Sequence, residues 1–186
     1  MSGFSTSYTP TAKAFHWLMA LLILAATVFG IYAAYFLHYG SDPAQNAYKA
    51  GIIDIHKNLA TVTLFLIAAR LYWRFTHKPP ELVGMNPLMA RLAHAGHWMR
   101  YALMVIVPVS GWANSSSAGY RIPVAWLFEI PHLIDKDKSL TPLLSTIHEY
   151  TTWTLVVLVV GHVGFALKHH FIDRNETMAS MLPNRK

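Results

Sequence analysis

A chain of 186 residues that is 54% hydrophobic and only 13% charged carries more apolar surface than an ordinary soluble domain of its length can bury. Its apolar runs are continuous and far exceed the roughly ten residues of a barrel strand, which excludes an outer-membrane barrel. The absence of cysteine excludes disulfides, iron-sulfur clusters, thiolate zinc sites and thioether-linked haem.

The expectation is an all-α, integral membrane four-helix bundle forming one domain over residues 1–186, with helices at approximately 12–38, 50–75, 89–113 and 141–171. Each apolar stretch can cross about 30 Å of hydrocarbon as a helix. The net charge of +6 follows membrane topology rather than a nucleic-acid surface. Ten of the fifteen Lys/Arg fall in the N-terminal segment, the connection around residues 70–100 and the C-terminal tail, and only Lys49, Lys57, Arg121, Lys136 and Lys138 fall on the other side. Both termini are therefore expected on the inner, cytoplasmic side.

The first helix opens after Pro10 with Phe15-His16-Trp17. Its apolar run of about 23 residues is longer than the core of a signal peptide, so it is read as retained. His16 lies at the inner end beside Trp17, an interface anchor. His38 falls at or past the outer end, and Gly40 and Pro43 punctuate a short outer loop.

The second helix descends from about Lys49, with His56 in its outer part and Arg70 and Arg74 at its inner end. Arg70 is fourteen residues beyond His56, about 21 Å further in, where it can pair with a haem propionate or snorkel to the inner surface. A proline-rich inner connection through Pro79, Pro80 and Pro87 follows. The third helix then places His94 and His97 on one side of its inner end, with Pro108 and Gly111 loosening its outer end. Residues 121–131 are mixed aromatic and aliphatic but too short to span, and read as a lid lying on the membrane. The tail after residue 172 reads as an inner-surface anchor.

The fourth helix organises the site. Between Tyr150 and Leu167 no residue carries a formal charge, and His162 is the one ionisable group. His148 and His162 are fourteen apart, about 21 Å along the axis and within about 40° of one face. A histidine in hydrocarbon is costly and marks function. One helix thus offers ligands at two depths, as two stacked b-type haems require.

Depth sorts the remaining histidines, because an axial pair must share a level on different helices. His56 matches His148 outside and His16 matches His162 inside. His38 remains open as an alternative to His56, and His94 or His97 as an alternative to His16.

Taken together, Phe15-His16-Trp17, Ile55-His56, His94-Ala-Gly96-His97, Ile147-His148-Glu149, Gly161-His162 and Leu167-Lys-His-His-Phe171 with Asp173 make the chain resemble the bacterial cytochrome b561 family over nearly its whole length. The resemblance implies a cytochrome of the bacterial inner membrane. It would hold two non-covalent b haems, the inner one by His16 and His162 and the outer one by His56 and His148. A bis-histidine iron has no open coordination position, which favours outer-sphere electron transfer. The implied function is exchange of electrons between a periplasmic-side reaction and the quinone pool. Some relatives are similar in oxidising superoxide and reducing ubiquinone. Lys57, next to His56, is the candidate cation for steering an anionic substrate. The other open reading is a conduit that relays electrons from a separate periplasmic protein or dehydrogenase.

Overall fold

The computed structural model describes residues 7–77, 87–174 and 178–182, without the side chains of residues 87–90 and 92–94. The proline-rich connection at residues 78–86, the His94 side chain and residues 175–177 and 183–186 of the tail lie outside the described residues.

Four long helices dominate. Helix α1 spans Pro10–Ile31 and continues as a π-helical turn at Tyr32–Phe36. Thr9 caps it by accepting from the Ala12 N–H through Oγ1 at 3.2 Å, and Pro10 in the first turn loses no hydrogen bond. Helix α2 spans Pro43–Thr76 and begins several residues before the expected start. Asp42 caps it through the Ala44 N–H, and Pro43 therefore opens the helix instead of merely ending the loop.

Helix α3 covers Pro87–Ala118 and α4 covers Thr141–Phe171. Helix α3 runs past its expected end through Ser115, Ser116 and Ser117. Gly119 stops it in the left-handed region at φ 79°, with Tyr120 N–H donating to the Ser115 carbonyl and Gly119 N–H to that of Ser116. A Cβ at Gly119 would also meet the Lys136 side chain at 2.8 Å.

The run read as a lid is a two-stranded antiparallel hairpin, β1 (Ile122–Val124) and β2 (Phe128–Ile130), with Ile122 opposite Ile130. This small sheet departs from the all-α expectation. The hairpin docks on α2 through two polar anchors. Thr61 Oγ1 donates to the Pro123 carbonyl at 2.6 Å, and the fully buried Asn58 accepts the Trp126 N–H at 2.6 Å. Ala125 and Trp126 both sit at positive φ, 51° and 59°, without being glycine. Asn58 holds the turn in that unfavourable backbone.

The helices associate as two pairs, α1 with α2 and α3 with α4, joined where α2 meets α3 and where β1 fits against both. Protein-only packing in the interior is thin. The buried apolar cluster is Ala33, Leu37 and Ile52, and Leu155 is the one buried residue of α4. Among the described residues, three helical segments are long and apolar enough to cross a membrane: Pro10–Phe36, Pro43–Thr76 and Thr141–Phe171. Helix α3 has the length, but its composition is diluted by Arg91 and Arg100 at one end and Asn114 to Ser117 at the other.

The first and last described segments meet. A short 3-10 turn at Ala179–Met181 folds back on α1, where Trp17 Nε1 donates to the Met181 carbonyl at 2.9 Å and Lys13 Nζ to that of Leu182 at 2.8 Å. This contact defines a terminus face, opposite the hairpin face. Just before the tail, Lys168 donates to Asp173 and holds its carboxyl below the usual carboxylate range.

Candidate functional site: two facing histidine pairs

Four helical histidines come together as two pairs. On the hairpin side, His56 of α2 faces His148 of α4 with ring centroids 6.2 Å apart and planes at 72°. Toward the terminus face, His16 of α1 faces His162 of α4 at the same 6.2 Å, with planes at 69°.

The hairpin-side rings are oriented by neighbouring helices. His56 Nδ1 lies 2.7 Å from the Ala26 carbonyl of α1, so Nδ1 carries the proton and donates it. His148 Nδ1 is 3.0 Å from the Val107 carbonyl and 3.1 Å from Ser110 Oγ, both on α3. With Nδ1 used in this way, each ring keeps Nε2 as the unprotonated nitrogen suited to a metal.

Two glycines make that approach possible. A Cβ at Gly30 would lie 2.8 Å from the His56 ring, and one at Gly111 would lie 2.9 Å from that of His148. The sequence marked Gly111 only as a loosening of α3, and Gly30 carried no signal inside an apolar run. Gly161 and Gly164, beside His162, border open space, so a Cβ there would meet no protein atom within 4 Å.

Around the terminus-side pair stand Arg70 and Arg100, whose charges both act on the His16 and His162 rings. Arg70 is half-buried, with its guanidinium 5.8 Å from the Tyr101 ring centre and Nη1 3.9 Å from the sulfur of the buried Met19. Sequence reading passed over Arg100, whose depth becomes evident only when α3 is packed.

Near the other pair, Lys57 Nζ sits 5.1 Å over the Tyr120 ring and donates to the Arg121 carbonyl at 3.4 Å. Arg121 pairs with Asp54 at 2.8 Å and Glu129 at 3.3 Å, and Asp54 pushes the guanidinium's pKa up. Its charge is thus balanced locally, leaving Lys57 as the cation next to a paired histidine.

His38 is exposed in the loop after the π-helical turn. His97 accepts from Arg100 through Nδ1 at 3.1 Å. Among the described residues no group of three or more His, Cys, Asp or Glu could hold a bare metal ion. Paired rings supplying two ligands instead suit a metal that arrives with its own equatorial donors, as in a porphyrin.

The sequence profile of the prokaryotic cytochrome b561 family matches residues 7–184. The chain belongs to that family. It is 28% identical to cytochrome b561 homolog 2 of Escherichia coli K12, over 94% of this chain and 90% of the relative. The probable superoxide oxidase CybB of Yersinia pestis is 27% identical over 92% of this chain and 93% of its own length. Cytochrome b561 homolog 1 of Escherichia coli K12 is also 27% identical, over 96% and 98% of the two chains. The cytochrome is accordingly a bacterial membrane protein whose family implies b-type haem and a role in electron transfer.

Proposed function

We propose that this cytochrome holds two b haems, one between His16 and His162 and one between His56 and His148, and carries electrons between a periplasmic-side reaction and the quinone pool. The observation that supports this reading is the equal 6.2 Å spacing of the two facing ring pairs. An atom bonded at about 2.0–2.1 Å to one nitrogen of each ring would set the centroids roughly 6.3 Å apart, allowing about 1.1 Å from nitrogen to ring centre. The glycines at positions 30 and 111 let the His56 and His148 rings pack directly against α1 and α3, so both rings can turn toward one shared metal.

When bound, each haem would supply one-electron redox chemistry without an open coordination position. The protein's own part is to orient and shield. Ala26 and Val107 would fix the outer imidazoles, and Arg70 would offer a cation to the inner haem. In the superoxide reading, two superoxide anions give up two electrons and become two dioxygen molecules, and one ubiquinone takes those electrons with two protons. Lys57 would attract the anion to the outer pair. Both termini then face the cytoplasm of the inner membrane, in line with the distribution of Lys and Arg.

One observation favours the second reading, a conduit for a periplasmic redox partner. The pairing of Arg121 with Asp54 and Glu129 leaves little surplus positive charge to draw in a small anion. The test of the main reading is the visible spectrum of the purified protein with haem quantified per chain. Two b haems per chain are expected, and a colourless protein would remove the proposal. Stopped-flow mixing with superoxide then separates the branches, since failure to reduce the wild-type haems leaves the conduit.

A further inference from the structure

Arg70 on α2 rests against Met19, one turn along α1 from His16, and Arg100 on α3 bonds to His97; the charges of both act on the His16 and His162 rings. Both are half-buried, and among the described residues neither has a carboxylate partner. Arg100 gives one of its five N–H groups to His97, and Arg70 rests against Tyr101 and Met19, neither of which carries charge. Two half-buried guanidiniums with no counter-charge among the described residues are a cost that an acidic ligand would relieve. Arginine is also the side chain whose planar fork fits a carboxylate best.

We propose that Arg70 and Arg100 form a two-point clamp for the two propionate carboxylates of the haem held between His16 and His162. The inference rests on that haem being there and adds what orients it: its acidic edge turns toward α2 and α3 at the level of these arginines. The hairpin-side pair has a different electrostatic setting. Lys57 sits over the Tyr120 ring and donates to the Arg121 carbonyl, and Arg121 is already paired with two carboxylates. The clamp is therefore a property of the inner haem alone.

The deciding experiment reconstitutes the haem-stripped protein with iron protoporphyrin IX or with its dimethyl ester, in which both carboxylates are blocked. Wild type, Arg70→Gln, Arg100→Gln and Arg100→Lys are compared, with the outer haem of the same molecule as internal control. In wild type the ester should leave the inner site roughly ten- to a hundredfold faster than the free acid, the range expected for losing charge-assisted hydrogen bonds. Either Gln variant should weaken the free acid by a similar factor while changing ester retention little, and Arg100→Lys should keep most of the preference. The midpoint potential of the inner haem should also fall in the Gln variants, because losing a nearby cation disfavours the reduced, less positive iron.

Equal weakening of acid and ester, or unchanged retention and potential in both Gln variants, would overturn the clamp and leave the haem assignment intact. Wild type that takes up no haem, or a His162→Ala variant that keeps both, would overturn the haem assignment itself.

Discussion

His56 and His148 face each other 6.2 Å apart while each is tethered, through Nδ1, to a carbonyl of a helix that belongs to neither ring: Ala26 for one and Val107 for the other. The ring pair therefore reports on all four helices at once. A disturbance of α1 or α3 at this level should be felt as a change in ligand orientation.

Gly30→Ala tests that relationship directly. The new methyl would start 2.8 Å from the His56 ring, so ring or helix must move. Overpacking of this kind costs about 1–3 kcal/mol. The expected result is a lower unfolding midpoint with loss or spectral shift of one haem, the other being unchanged. Gly161→Ala, where nothing lies within 4 Å, is the control for adding a methyl against protein atoms.

Removing ligands should sort the haems into two independent sets. His56→Ala and His148→Ala should each abolish the outer haem, and His16→Ala and His162→Ala the inner one, leaving about half the haem per chain. Haem extraction with redox titration reads this out. Retention of both haems in His56→Ala would transfer the outer assignment to another residue, with His38 first in line.

Lys57 is the residue whose charge distinguishes enzyme from conduit. Lys57→Glu should slow reduction by superoxide several-fold at low ionic strength and by less at high salt, since salt screens the long-range attraction of an incoming anion. Reduction by a neutral quinol should change little. Haem content must stay intact for the comparison, and an unchanged superoxide rate would argue against steering by this residue.

Asn58 supports the hairpin from inside. Its side chain accepts the Trp126 N–H and donates to the Asp54 carbonyl at 2.9 Å, and it is wholly buried. Asn58→Ala leaves the Trp126 N–H without its partner, at a cost of about 1–3 kcal/mol. Faster proteolysis within residues 122–130 is expected. Ala125→Gly, which relieves a positive φ of 51°, should slow it.

Membrane orientation is open to a reporter fused after Lys186. Activity is expected only from a reporter that works in the cytoplasm, because positive residues concentrate at that end of the helices. A periplasmic signal would reverse the assignment of both haem levels.

The sequence by itself determined the helical character of the chain and its family, and it offered a grouping of the histidines by depth. Those properties are one-dimensional: apolar run length, and a rise of about 1.5 Å per residue that converts the spacing of His148 and His162 into depth. Packing decided the rest. Gly30 looked like any small residue in an apolar run until α2 brought the His56 ring against it. Arg100 looked like another positive residue at a helix end until α3 brought its charge within reach of the His16 and His162 rings. Residues 121–131 looked like a surface segment because their partners, Asn58 and Thr61, lie more than sixty residues away in the chain. Contacts between residues far apart in sequence leave no periodic trace in either segment, so only the tertiary structure could bring them together.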